Sequence, residues 1–158
     1  MNKNTVLLKT IEEIQLQLDC EVIYLNSGGC GIFAITMYAY MIKYGFNCKI
    51  VFYSTRDRKK YDEVFSEIQN KNHKNQSLLS ASHIAIKYKN KIFDGFRFYQ
   101  KKDFTITGEF SIKELALSLK YGNWNSAFNR KKYSKIVRDI IKNEFKRSFP
   151  VTKELSLS

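Results

Sequence analysis

The sequence predicts an α+β protein: an N-terminal helical layer whose central helix packs on an antiparallel β-sheet, followed by a basic C-terminal helix. Three observations carry that expectation. Residues 30–44 (CGIFAITMYAYMIKY) are apolar nearly all round, as in a helix buried on most of its sides. Three short runs, 48–53, 82–88 and 91–98, are rich in β-branched and aromatic residues. Residues 131–147 repeat apolar positions at helical spacing beneath a row of basic side chains.

The elements follow in order. Over 5–19, Leu7, Leu8, Ile11, Ile14 and Leu18 share one face of an amphipathic helix. EVIYLN (21–26) reads as a short extended run leading into the turn Ser27-Gly28-Gly29. The apolar helix then runs from Cys30 to Tyr44, and Gly45 stands where a helix ends. CKIVFY (48–53) is a strand, and Asp57 caps a polar helix that continues to about Asn70. KNHKNQS (71–77) is a loop. Residues 82–88 and 91–98 read as two strands joined by a Lys89-Asn90 turn. Ser111 and Glu114 form a capping box for the helix SIKELALSLK. Residues 121–129 are a turn-rich connector with the single Trp, Trp124. The last helix turns Tyr133, Ile136, Val137, Ile140, Ile141 and Phe145 inward. These divide one domain of 158 residues into a mainly helical part (1–79), a sheet (80–110) and C-terminal helices (111–149).

Composition narrows the function classes. With 44% hydrophobic and 15% aromatic residues the chain has material for a packed core. Three cysteines (Cys20, Cys30, Cys48) are too few to staple a small secreted fold, and they show no CxxC spacing. No apolar run approaches the roughly 18 residues of a membrane span. Acids interrupt the N-terminus before a signal-peptide core can form, so a cytoplasmic location is expected. No Gly-rich phosphate cradle is present, and the two histidines have no familiar zinc spacing. The net charge is +12, and residues 80–158 hold 17 basic against 7 acidic groups. Lys131, Lys135, Arg138 and Lys142 line the outer face of the last helix. They are either a solvated surface or a contact for a polyanionic partner.

Cys30 has the most informative surroundings. It follows a Gly-Gly turn and opens the apolar helix, where unpaired backbone N–H groups and the helix dipole favour thiolate over thiol. Glycines at 28, 29 and 31 leave room for a substrate backbone beside that sulfur. The same N–H groups can hold an oxyanion. A thiol nucleophile needs a base. His73 lies among Lys and Asn in a solvated loop, whereas His83 opens the alternating strand His83-Ile84-Ala85-Ile86. Asp94, which follows Ile92-Phe93 in the partner strand, is the acid placed to orient it. With a two-residue turn at Lys89-Asn90, Ala85 opposes Asp94, and His83 becomes its diagonal neighbour on one face.

The segment Asn26-Ser27-Gly28-Gly29-Cys30-Gly31-Ile32-Phe33-Ala34 resembles the nucleophile segment of papain-like cysteine peptidases. The order Cys30, His83, Asp94 is similar to the Cys-His-Asp variants of that superfamily, among them transglutaminase-like enzymes, arylamine acetyltransferases and small bacterial or viral peptidases. The likeness spans about residues 22–98. It implies a papain-like fold with the site between a helical layer and a sheet. It also implies an oxyanion donor before the cysteine, where Asn26 stands in place of the usual Gln. Gly31-Ile32 replaces the aromatic residue often found after the nucleophile, and Asn123-Trp124 lies too far along the chain to displace Asp94 as the third member.

The expected function is a thiol hydrolase that cleaves a peptide or isopeptide bond. Cys30 is the nucleophile, His83 the base and then acid, Asp94 the orienting group, and Asn26 with the Cys30 N–H the oxyanion donors. No metal or organic cofactor is required. Two alternatives stand beside it: acyl transfer through the same intermediate, as in transglutaminase-like enzymes, and a non-catalytic basic protein that binds nucleic acid or another polyanion.

Overall fold

The computed structural model describes residues 2–21, 29–54, 57–79, 81–99, 105–121 and 130–148. Its architecture is α+β. Helices α1 (Lys3–Glu21), α2 (Cys30–Lys43), α3 (Arg58–Gln69), α4 (Ile112–Tyr121) and α5 (Arg130–Ser148) surround strands β1 (Lys49–Tyr53), β2 (His83–Tyr88), β3 (Lys91–Phe93), β4 (Phe98–Tyr99) and β5 (Gly108–Phe110). The strands form one antiparallel sheet in the order β4-β3-β2-β1-β5. Among the described residues no helix is long and apolar enough to cross a membrane.

Helix α2 lies at the centre, as its lack of a polar face requires. It packs against β1, β2, α4 and α5, while α1 packs along α5. Its buried residues Phe33, Met37 and Met41 join Leu7, Ile11, Ile14 and Leu18 of α1 and Val137 and Ile141 of α5 in one core. The sheet adds Ile50, Phe52, Ile84, Ile86 and Phe93. A second, smaller cluster on the opposite face of the sheet holds Val51, Tyr53, Ala85 and Ile92, with Tyr99 and Ile106 against it. Burying each of these large side chains contributes on the order of 1.5–3 kcal/mol.

The local signals act as their chemistry dictates. Asp57 caps α3 by accepting a bond from the Lys60 N–H at 2.9 Å. In the capping box the Ser111 N–H donates to Glu114 Oε2 at 2.8 Å, and the Glu114 N–H donates to Ser111 Oγ at 3.1 Å. After α2, Gly45 takes φ +80°, and the Phe46 N–H reaches back to the Met41 carbonyl at 2.8 Å.

Some expectations change. The run 91–98 is not one strand: it breaks at Asp94 into β3 and β4, which pair as a hairpin through Phe93↔Phe98. The Asp94-Gly95 step is a strong turn signal and overrides the strand propensity of its neighbours. A 3-10 turn, Gln76–Leu79, ends the expected loop, and β5 adds an edge strand where the sequence predicts none. Three residues are too few to show a period. Helix α1 continues to Glu21, which removes the start of the extended run expected over 21–26. The rest of that run, Gly28, the connector with Asn123-Trp124, and Asn26 lie outside the described residues.

Candidate active site

The site is assembled at one end of the β1–β2 ladder, where Tyr53 pairs with His83. The hairpin register is the expected one: Ile86 opposes Phe93 across the Lys89-Asn90 turn, so Ala85 and Asp94 fall in line. The consequence is direct. His83 Nε2 and Asp94 Oδ2 lie 2.6 Å apart. Cys30, the first residue of α2, is the imidazole's other polar neighbour and acts on it electrostatically. The three residues singled out in the sequence therefore meet at one place, with the imidazole bonded to the carboxylate and the thiol beside it.

Asp94 is wholly buried, and a buried carboxylate is costly unless every lone pair is occupied. Here they are. Oδ1 accepts from the backbone N–H groups of Phe96 and Arg97, at 2.7 and 2.9 Å. Oδ2 accepts from the Tyr99 hydroxyl as well as from His83. Asp94 is thus a turn residue and a partner for His83 at once, with one oxygen for each task. Its main chain is fixed too: its N–H bonds the Arg97 carbonyl at 3.1 Å, and its carbonyl accepts from Nε2 of buried Gln15 on α1 at 2.9 Å.

The electrostatics follow from this packing. Burial raises the Asp94 carboxyl pKa, but the donors from His83, Tyr99, Arg97 and Phe96 outweigh it and hold the group below its ordinary value. Burial pulls the His83 imidazole down, but its bond to Asp94, the neighbouring Cys30 side chain and the charges of both overcome this and carry it up to about 9. Tyr53 stacks on the imidazole with ring centres 6.1 Å apart and planes 21° apart, and Tyr99 meets it edge-on at 6.0 Å.

Cys30 is 2% exposed and His83 is 8% exposed. Gly29 precedes the helix, and its carbonyl accepts the first intrahelical bonds, from Ile32 and Phe33. The Cys30 and Gly31 N–H groups come before those bonds, at the positive end of α2. A Cβ at Gly31 would lie 2.8 Å from Leu119 Cδ2 and 3.2 Å from Ile84 Cδ1, so the glycine lets α2 press between α4 and β2.

The remaining candidates fall elsewhere. His73 is exposed, its ring 4.7 Å from that of Tyr121. Cys48 is buried away from these three residues, and burial pushes its thiol up to about 12. Lys135, Arg138 and Lys142 are exposed on α5, with Lys135 bonded to Asp139; the Lys131 side chain lies outside the described residues. Sequence reasoning missed Tyr53, Tyr99 and Gln15. The Asp94-Gly95 turn was the available signal for Tyr99, because a hairpin there returns residue 99 to the side of Asp94.

No family model, curated protein or solved structure matches the chain.

Proposed function

We propose that this protein is a thiol hydrolase that cleaves an amide bond by way of an acyl-enzyme, on a papain-like arrangement of helix and sheet. The observation that carries the reading is the His83 imidazole, bonded to a fully buried carboxylate and neighboured by the Cys30 thiol at the start of α2. Asp94 holds Nε2, which leaves Nδ1 as the nitrogen that exchanges a proton with the thiol. The Cys30 sulfur then forms a C–S bond to the substrate carbonyl carbon. As the tetrahedral intermediate collapses the C–N bond breaks, and His83 gives its proton to the departing amine. Water, deprotonated by His83, attacks the thioester; the acid product leaves and the thiol is restored. An amine in place of water makes the same enzyme a transferase. The Cys30 N–H, with Asn26, is the proposed oxyanion donor.

The test is selective reaction of a small electrophile at neutral pH, with the labelled cysteine identified by peptide mass spectrometry. Cys30 is expected to react at least about tenfold faster than Cys48, and His83→Ala is expected to remove that advantage. Equal labelling, or labelling indifferent to His83, sinks the enzyme reading and leaves the basic binding protein in its place.

A further inference from the structure

We propose that Tyr99 is a positioning residue that sets how strongly Asp94 holds the His83 imidazole, by donating its hydroxyl hydrogen to the same carboxylate oxygen. The inference rests on reading Cys30, His83 and Asp94 as a catalytic unit. The two oxygens of Asp94 are loaded differently. Oδ1 carries two backbone donors fixed by the turn, Phe96 N–H and Arg97 N–H, so its share of the charge does not vary. Oδ2 divides its charge between two side chains, His83 and Tyr99. What the phenol takes, the imidazolium does not receive.

The groups that face His83 include the Cys30 side chain from α2, the Tyr53 ring from β1, Asp94 from the β3–β4 turn and Tyr99 from β4. Arg97 lies one layer out, its guanidinium 5.6 Å from the centre of the Tyr99 ring. Tyr99 meets both the imidazole, with ring planes 74° apart, and the oxygen that holds it. Burial and the Asp94 charge push the Tyr99 phenol well above its ordinary pKa, so it stays a donor throughout the range in which His83 titrates. The phenol therefore moderates the acid and fixes its orientation, which leaves His83 able to release its proton to a leaving group.

The experiment is a proton-detected imidazole titration of the full chain, in which the two histidines give separate signals and His73 is the internal control. It compares Tyr99→Phe, which removes the donor, with 3-fluorotyrosine placed at position 99 alone, which is a better donor of the same shape. Tyr99→Phe is expected to raise the His83 midpoint by about half a pH unit or more, and the fluorinated residue to lower it, while His73 stays put. A purely structural role moves both variants in one direction or neither, and either result overturns the inference. Should Tyr99→Phe lose its fold, the fluorinated protein still decides by the sign of its shift. The readout needs no turnover. An inert Cys30 overturns the hydrolase and leaves the titration standing, whereas a reactive Cys30 with an unmoved His83 midpoint removes only the role of Tyr99.

Discussion

The two ends of the β1–β2 ladder carry the same motif in two environments. At one end Tyr53 opposes His83 and a carboxylate, Asp94, binds the imidazole. At the other, Lys49 opposes Lys87, and Glu109 of β5 binds both ammonium groups, at 2.7 and 3.4 Å. Each carboxylate answers a basic group on β2. The difference is water. Asp94 has no exposed surface, so each of its donors is protein and each is fixed; the Glu109 side chain is 41% exposed. A charge pair in water gains little because solvent screens it, whereas a buried pair acts through a low dielectric and cannot be replaced by solvent when a partner is removed. One end of the ladder therefore holds a desolvated imidazole–carboxylate pair, and the other holds an edge strand in place.

Breaking the buried end has the largest expected effect. Asp94→Asn keeps an acceptor for the Phe96 and Arg97 N–H groups, so the turn survives at a cost of about 1–2 kcal/mol. It places an amide N–H₂ where Oδ2 stood. His83 then answers with Nε2 as acceptor, which puts the ring proton on Nδ1, the nitrogen proposed to receive the thiol proton. The selective reaction of Cys30 is expected to slow by about two to four orders of magnitude, with a loss of only a few degrees in Tm. Alkylation kinetics beside a thermal melt decide the matter. An unchanged rate in a folded variant shows that the carboxylate does not direct the imidazole.

How much of this end was legible in the sequence depends on how local its causes are. Cys30 was legible because a Gly-Gly turn before an apolar helix is a contiguous signal. The pairing of His83 with Asp94 followed from one assumption, a two-residue turn, because strand register converts sequence spacing into a face. Tyr53 pairs with His83 across a connection containing helix α3 that no spacing rule spans, and Gln15 reaches Asp94 from 79 residues away. Tertiary packing alone brings these together. Asp94 itself was misjudged as a strand residue because the aromatic residues around it outweighed the turn signal of Asp94-Gly95. The fold class was legible because its signals are local: the apolar run of α2 and the β-branched, aromatic runs of β1 and β2 each lie within one contiguous segment.

The raised His83 pKa makes the comparison readable in stability. A histidine at about 9 in the folded protein and 6.5 in the unfolded chain binds its proton more tightly when folded. Its contribution is fully present below about pH 6.5 and is lost as pH rises through about 9. Asp94 acts in the other direction: its contribution is present above the ordinary carboxyl pKa and fades as pH falls toward its lowered folded value. The native protein is therefore expected to lose on the order of 2–3 kcal/mol between pH 6 and pH 10 from His83. His83→Gln removes that loss. Chemical denaturation of both proteins across this range is the measurement, and parallel curves show that the imidazole carries no such linkage.

The exposed end supplies the smallest effect and the sharpest control. Glu109 sits between two lysines that oppose each other directly, and the Lys49 bond, then Lys87, holds its carboxyl below the ordinary value against a small effect of burial. Glu109→Gln keeps an amide oxygen for one lysine but leaves the two ammonium groups facing each other without a counter-charge. Like charges directly opposite on a sheet destabilise it by a few tenths of a kcal/mol, and salt screens them over about 10 Å at 0.1 M. Stability should therefore fall by about 0.5 kcal/mol at low salt and recover toward the native value near 1 M. The reaction of Cys30 should not change, because Lys49 and His83 stand at opposite ends of the strand pair. Urea unfolding at both salt concentrations, with alkylation of Cys30 alongside, separates the outcomes. A loss of about 2 kcal/mol that persists at high salt means that Glu109 is a packing residue. A slower Cys30 means that the two ends of the ladder are coupled, and the contrast between them fails.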